Sequence, residues 1–146
     1  MNEIEMGLRL ILALVVGAVI GLERERRGRP AGLRTFILVS LGSCLFMLVS
    51  IYVADLNGRG DPARIAAQVV TGIGFLGGGL LLRTGDTVRG LTTAAGIWAV
   101  AALGLAAGAG MYTVTVVGTA LVLIVLAVLR QFEAKYFRTK EDSNRW

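Results

Sequence analysis

Residues 36–54 read FILVSLGSCLFMLVSIYVA, nineteen consecutive positions with neither a charge nor a proline. A helix of ~20 apolar residues crosses the ~30 Å hydrocarbon core of a bilayer. The run is continuously apolar rather than alternating, so it does not fit a barrel strand. Four more apolar windows flank it: Gly7–Leu22, interrupted by Arg9, and the uncharged Ile65–Leu82, Leu91–Gly108 and Met111–Leu129. The connectors between them are short and carry almost every charge. The expected architecture is therefore all-α, an integral membrane five-helix bundle. It forms one transmembrane domain over residues 1–129, followed by a basic tail over residues 130–146.

Composition agrees. Of 146 residues, 55% are hydrophobic and 17% charged, with a mean hydropathy of +0.70. Soluble domains average ~25% charged residues, which argues against a soluble enzyme. One cysteine and no histidine leave no internal disulfide, no histidine catalysis and no Cys/His zinc site. No nucleophile–base pair or P-loop stands in the sequence either, so a non-enzymatic protein without a cofactor is expected. The first segment begins with Glu3 and Glu5 rather than a basic region, and no Ala-x-Ala site precedes the arginines that follow it. It reads as a retained helix and not as a cleaved signal. Arg9 within it must snorkel outward or pair with Glu5 one turn earlier.

The charges set an orientation. Arg24, Arg26, Arg27, Arg29 and Arg34 follow helix one, Arg83 and Arg89 follow helix three, and Arg130, Lys135, Arg138, Lys140 and Arg145 lie in the tail. Only Arg9, Arg59 and Arg64 fall on the opposite side. The positive-inside bias then puts the N-terminus outside and the C-terminus in the cytoplasm. A pI near 10.1 has the same origin, since no groove-reading motif accompanies the basic residues and no nucleic-acid partner is expected. The tail from Arg130 to Phe137 mixes aromatics with bases and reads as interfacial.

Helix three is the least ordinary segment. Gly72, Gly74, Gly77, Gly78 and Gly79 fall within eight residues, and each would weaken a water-exposed helix by ~1 kcal/mol relative to alanine. Gly74/Gly78, Gly17/Gly21 and Gly104/Gly108 have the small-xxx-small spacing that lets membrane helices approach closely. Tight helix packing is one reading of these glycines. The other is a locally unwound helix, with Gln68 and Thr71 beside it, that meets an ion or polar ligand. The literal G-x-G-x-x-G from Gly72 to Gly77 is not a dinucleotide site, because it follows no strand and lies inside an apolar span.

At an offset of 58 residues, Gly21-Leu22 aligns with Gly79-Leu80, Gly32-Leu33 with Gly90-Leu91, and Thr35 with Thr93. This register fits a parallel repeat of helices 1–2 and 3–4, and it equally fits coincidence among small residues. Glu23 and Glu25 sit at a helix C-terminus and Arg34 at the next helix's N-terminus, all against the helix dipoles. Pairing of a glutamate with Arg34 across the hairpin mouth would compensate, and solvated interfacial charges are the competing reading. Pro30 suits the first turn of helix two, and Asp61-Pro62 reads as a cap for helix three. The carboxylates available for a hard cation are few, with Asp55 and Asp61 outside and Glu23, Glu25 and Asp86 inside. None is at mid-span, so no cation path or metal site is assigned within one chain. Cys44 reads as a packing residue, and Trp98 as either buried or at an oligomer surface.

Three runs carry a resemblance. Gly21-Leu-Glu23-Arg24-Glu25 with Ala31-Gly32-Leu33-Arg34-Thr35, Arg64 through Gly78, and Val88-Arg89-Gly90-Leu91-Thr92-Thr93-Ala94-Ala95 resemble the MgtC/SapB family of bacterial inner-membrane proteins. The likeness covers about residues 8–112. It implies a multi-pass protein of the bacterial inner (plasma) membrane, in a virulence-related family associated with adaptation to low Mg²⁺. The small-residue faces of helices three and four are expected to meet a second copy or another membrane protein, the F-type ATP synthase and a magnesium transporter being those the resemblance implies. Better-studied members carry a cytoplasmic C-terminal regulatory domain, and this chain, ending 17 residues after its last helix, resembles the shorter forms. The residues carried over as a functional cluster are Glu23, Glu25, Arg34, Gln68, Thr71, Arg89, Thr92 and Thr93. The expected function is that of a regulator or partner-binding protein in magnesium or membrane-energetics homeostasis. A small oligomeric transporter or channel using helix three is the alternative.

Overall fold

The computed structural model describes residues 2–57, 60–84 and 87–129. Five helices follow in order: α1 (Glu3–Arg26), α2 (Leu33–Asn57), α3 (Ala63–Gly78), α4 (Leu91–Gly108) and α5 (Tyr112–Ile124), the last continued by a π-helical turn over Val125–Leu129. Between α3 and α4 lie two short strands, β1 (Leu82–Thr84) and β2 (Thr87–Arg89), paired antiparallel with Leu82 opposite Arg89.

α1 starts where Asn2 accepts a hydrogen bond from the Ile4 amide at 3.3 Å. Glu3 and Glu5 in its first turn, with Arg24 and Arg26 in its last, complement its dipole. The helix is longer at both ends than its apolar window, because polar residues of good helix propensity extend it past the hydrocarbon. α2 begins at Leu33, which leaves Pro30 in the loop and not in a first turn.

α1, α2 and α4 form the centre, with Val16, Ile20, Phe36, Ile97 and Val100 buried between them. Backbone proximity explains how so few large side chains suffice. A Cβ on Gly17 would stand 2.7 Å from Ile37 Cα, and one on Gly21 2.9 Å from Leu33 Cα. Across the other face of α2, a Cβ on Gly108 would lie 2.7 Å from the Cys44 carbonyl oxygen, and one on Gly104 would strike the Ser40 carbonyl. α2 is thus gripped from both sides by glycine pairs, the geometry that small residues allow between membrane helices. Cys44 is fully buried in this contact. Above it, Arg9 is buried beside Glu5, to which it is ion-paired, and donates from Nη1 to the Gly108 carbonyl at 2.7 Å. It thereby places a cation on the C-terminus of α4.

α3 and α5 are peripheral. Large apolar side chains point outward all round: Ile4 is 72% exposed, Leu38 69% and Phe75 86%. A water-soluble monomer does not carry such a surface, and a lipid-facing one does. α1, α2, α4 and α5 with its π turn are long and apolar enough to cross a membrane.

Helix three differs from its expected span over residues 65–82. It stops at Gly78, and its 16 residues measure ~24 Å at 1.5 Å per residue. The glycines at 77–79 have no side chains to hold a further turn, and the chain passes into the β-hairpin. The helix still runs the height of the bundle. Ser50 Oγ of α2 donates to the Pro62 carbonyl at its start, and Gly77 lies against Ala94, just inside α4, at its end. The hairpin closes on Gly90, whose φ of +96° is a left-handed value and whose missing Cβ would collide with the Leu80 carbonyl.

The two stretches aligned at an offset of 58 share one feature: Gly32-Leu33 and Gly90-Leu91 each place the leucine at the first residue of a helix. They diverge in form, since α1 continues past Gly21 to Arg26 and α3 ends before Gly79.

Candidate functional site

The expected functional residues fall in two places and not in one cluster. At the end of the bundle where α1 meets α2, Glu23 is the hub. Its carboxylate accepts from Arg24 Nε at 2.7 Å and is ion-paired to Arg27 Nε at 2.6 Å. Arg24 is 1% exposed, and that carboxylate balances its buried charge. Glu25 does something else: its Oε2 accepts from the Leu33 amide at 2.8 Å and caps α2 from eight residues upstream. The carboxylate occupies the space where a side chain at Gly32 would begin. A glycine at 32 is what lets the cap form. The expected pairing of a glutamate with Arg34 is not what this geometry holds. Both carboxylates are engaged locally by arginines or backbone, and Arg34 stands exposed.

Arg89 and Thr92 are exposed beside the start of α4, and Thr93 is buried. Arg83 and Asp86 have no described side chains, and the tail, residues 130–146, lies outside the described residues. The buried Arg24 is the residue that sequence reasoning passed over. It looked like one of five interfacial arginines. The signal available was the i, i+4 spacing of Glu23 and Arg27, which fixes the carboxylate where Arg24 can reach it.

The second place is α3. Its glycine run is helical throughout Gly72–Gly78, with Gly79 still in right-handed helical geometry. No unwound segment exposes carbonyls there. The glycines divide by face. Gly77 packs toward α4, and Gly79 meets only the carbonyls of its own last turn. A Cβ added at Gly72, Gly74 or Gly78 would meet nothing within 4 Å. Gly72 and Gln68 turn toward a groove against α2. Thr71, Gly74, Phe75 and Gly78 are exposed on the outer side, and the Thr71 hydroxyl is returned to its own helix at the Ala67 carbonyl, 3.4 Å away. Trp98 of α4 is half exposed at 55%.

Among the described residues no group of three or more acidic or cysteine side chains is arranged to hold a metal ion. What the geometry offers is a helical membrane protein with an ion-locked loop end and one helix whose small-residue face meets no other element among the described residues.

The comparisons with known proteins agree with that class. The MgtC family model matches residues 10–135, and the chain belongs to that family. It is 50% identical over 132 residues to the Escherichia coli protein named "Putative magnesium transporter YhiD", covering 87% of this chain and 61% of that one. It is 46% identical over 118 residues to Protein MgtC of Brucella abortus, covering 81% and 48% respectively. To Protein SrpB of Synechococcus elongatus it is 43% identical over 144 residues, covering 88% and 76%. The chain thus spans about half to three-fifths of the first relatives it matches. No solved structure matches it.

Proposed function

We propose that this is a non-enzymatic regulator or partner-binding protein of the bacterial inner membrane, acting in magnesium or membrane-energetics homeostasis through the outer face of α3. One observation carries the reading. The pairs Gly17/Gly21 and Gly104/Gly108 are pressed against neighbouring helices, whereas Gly74 and Gly78 have the same spacing and a Cβ on either would meet nothing within 4 Å among the described residues. Flanked by Thr71 and the 86% exposed Phe75, they form the surface that a further membrane helix can approach closely. A second copy of the chain is the proposed occupant, and another membrane protein the variant of the same reading. The distribution of arginines supports an N-terminus outside, with the Glu23–Arg24–Arg27 end in the cytoplasm. Native mass spectrometry and crosslinking in membranes test this proposal. Self-association or a defined partner, lost in Gly78→Leu, is expected. A monomer with no partner overturns it.

A transporter reading draws on the printed name of the Escherichia coli relative and on Gln68 lining the α2–α3 groove. It is tested by Mg²⁺ flux into liposomes carrying the folded protein, with Gln68→Ala as the discriminating variant. Flux no greater than in empty vesicles rejects it.

A further inference from the structure

Two cavities follow one another between α2 and α3, on a different face from the proposed association surface. The deeper, about 450 Å³, is lined by Leu38, Gly42 and Phe46 of α2 and by Ile65, Gly72 and Leu76 of α3, among others. The outer, about 410 Å³, is lined by residues including Ser50, Asp61 and Arg64. Ile65 and Gln68 belong to both, so the two are successive lengths of one groove. Its floor is almost wholly apolar and its mouth is charged.

We propose that this groove holds one acyl chain of a zwitterionic phospholipid, with the headgroup phosphate on Arg64 and the ammonium toward Asp61. Length supports the assignment. From Ile65 to Leu76 the groove runs ~16 Å along α3 at 1.5 Å per residue, against ~15 Å for one leaflet of a ~30 Å core. Its size lies within the ~300–1,000 Å³ of ordinary ligand sites. Empty, it would forfeit dispersion contacts along both helices, and the medium available to fill it is hydrocarbon.

Charge selects the headgroup. Arg64 and Asp61 are both exposed, and among the described residues neither is ion-paired. The Arg64 guanidinium suits a phosphate, which it can engage by two parallel hydrogen bonds. Asp61 is exposed, and its Oδ1 accepts from the Ala63 amide at 2.8 Å, capping α3. One charge of each sign at the mouth matches a headgroup carrying both. An anionic headgroup would satisfy Arg64 through its phosphate but leave Asp61 without a counter-charge.

The test is native mass spectrometry of the purified full chain after delipidation and titration with phosphatidylethanolamine, phosphatidylglycerol or diacylglycerol. One phosphatidylethanolamine is expected to bind, about tenfold tighter than diacylglycerol, a difference of about 1.4 kcal/mol. Arg64→Gln should abolish that preference, and Asp61→Asn should move it toward phosphatidylglycerol. The double variant Gly42→Leu, Gly72→Leu fills the groove at positions where an added Cβ meets nothing within 4 Å, and should abolish binding. Phe46→Trp, with Trp98 and Trp146 replaced by Phe, gives a second readout on an unfilled groove: brominated-chain phosphatidylethanolamine should quench it. Three results overturn the proposal. These are equal retention of phosphatidylethanolamine and diacylglycerol, unchanged retention in the filled groove without quenching at position 46, and a second copy of the chain occupying the groove in place of lipid.

Discussion

At the scale of single residues, the loop end of the bundle is held by one carboxylate between two guanidinium groups. The Glu23 side chain is 13% exposed, Arg24 2% and Arg27 25%. Removing one partner of a buried pair leaves an uncompensated charge, which costs about 3–5 kcal/mol. The exposure of Arg27 places Glu23→Gln at the low end, about 3 kcal/mol, measured as loss of stability in detergent unfolding. Arg34→Gln, on an exposed side chain, should fall within about 0.5 kcal/mol of the wild type in the same assay. Glu25→Ala removes the cap on Leu33 and should lower stability by about 1 kcal/mol. Gly32→Ala should reproduce most of that loss by displacing the carboxylate. The acid–arginine composition of this loop was legible in the sequence. Which acid met which partner was not, because the choice depends on an eight-residue turn bringing Glu25 back over Gly32, and no local pattern encodes it.

At the scale of the helices, the same glycine spacing has opposite consequences. Gly104→Leu would drive a side chain into the Ser40 carbonyl and the Ser43 Cβ at 2.9 Å. Overpacking of this kind costs about 1–3 kcal/mol or more, and the variant should lose thermal stability or fail to accumulate in membranes. Gly74→Leu adds its side chain to open space. It should match the wild type in thermal unfolding of the monomer while losing association. The sequence showed three small-xxx-small pairs and could not rank them, since spacing reports which residues share a face and not what that face meets. Hydropathy alone likewise ran helix three on to Leu82. The break at Gly78 comes from three successive glycines and from the hairpin that Gly90 closes.

In the whole molecule α1, α2 and α4 form a closed trio, with α3 turning one face to the groove against α2 and the other away from the rest of the described residues. The five-helix architecture was readable from apolar run lengths, because in a bilayer that pattern has few other solutions. The use proposed for the outer face was not, because it would involve a chain other than this one. Cysteine crosslinking in native membranes tests that use most directly. With the buried Cys44 replaced by serine, Phe75→Cys places one thiol on the outer face of α3. A covalent dimer is expected on mild oxidation, lost when Gly78→Leu is added. A thiol that reacts with a membrane-permeant maleimide but forms neither a dimer nor a crosslink to any other protein would contradict the proposal.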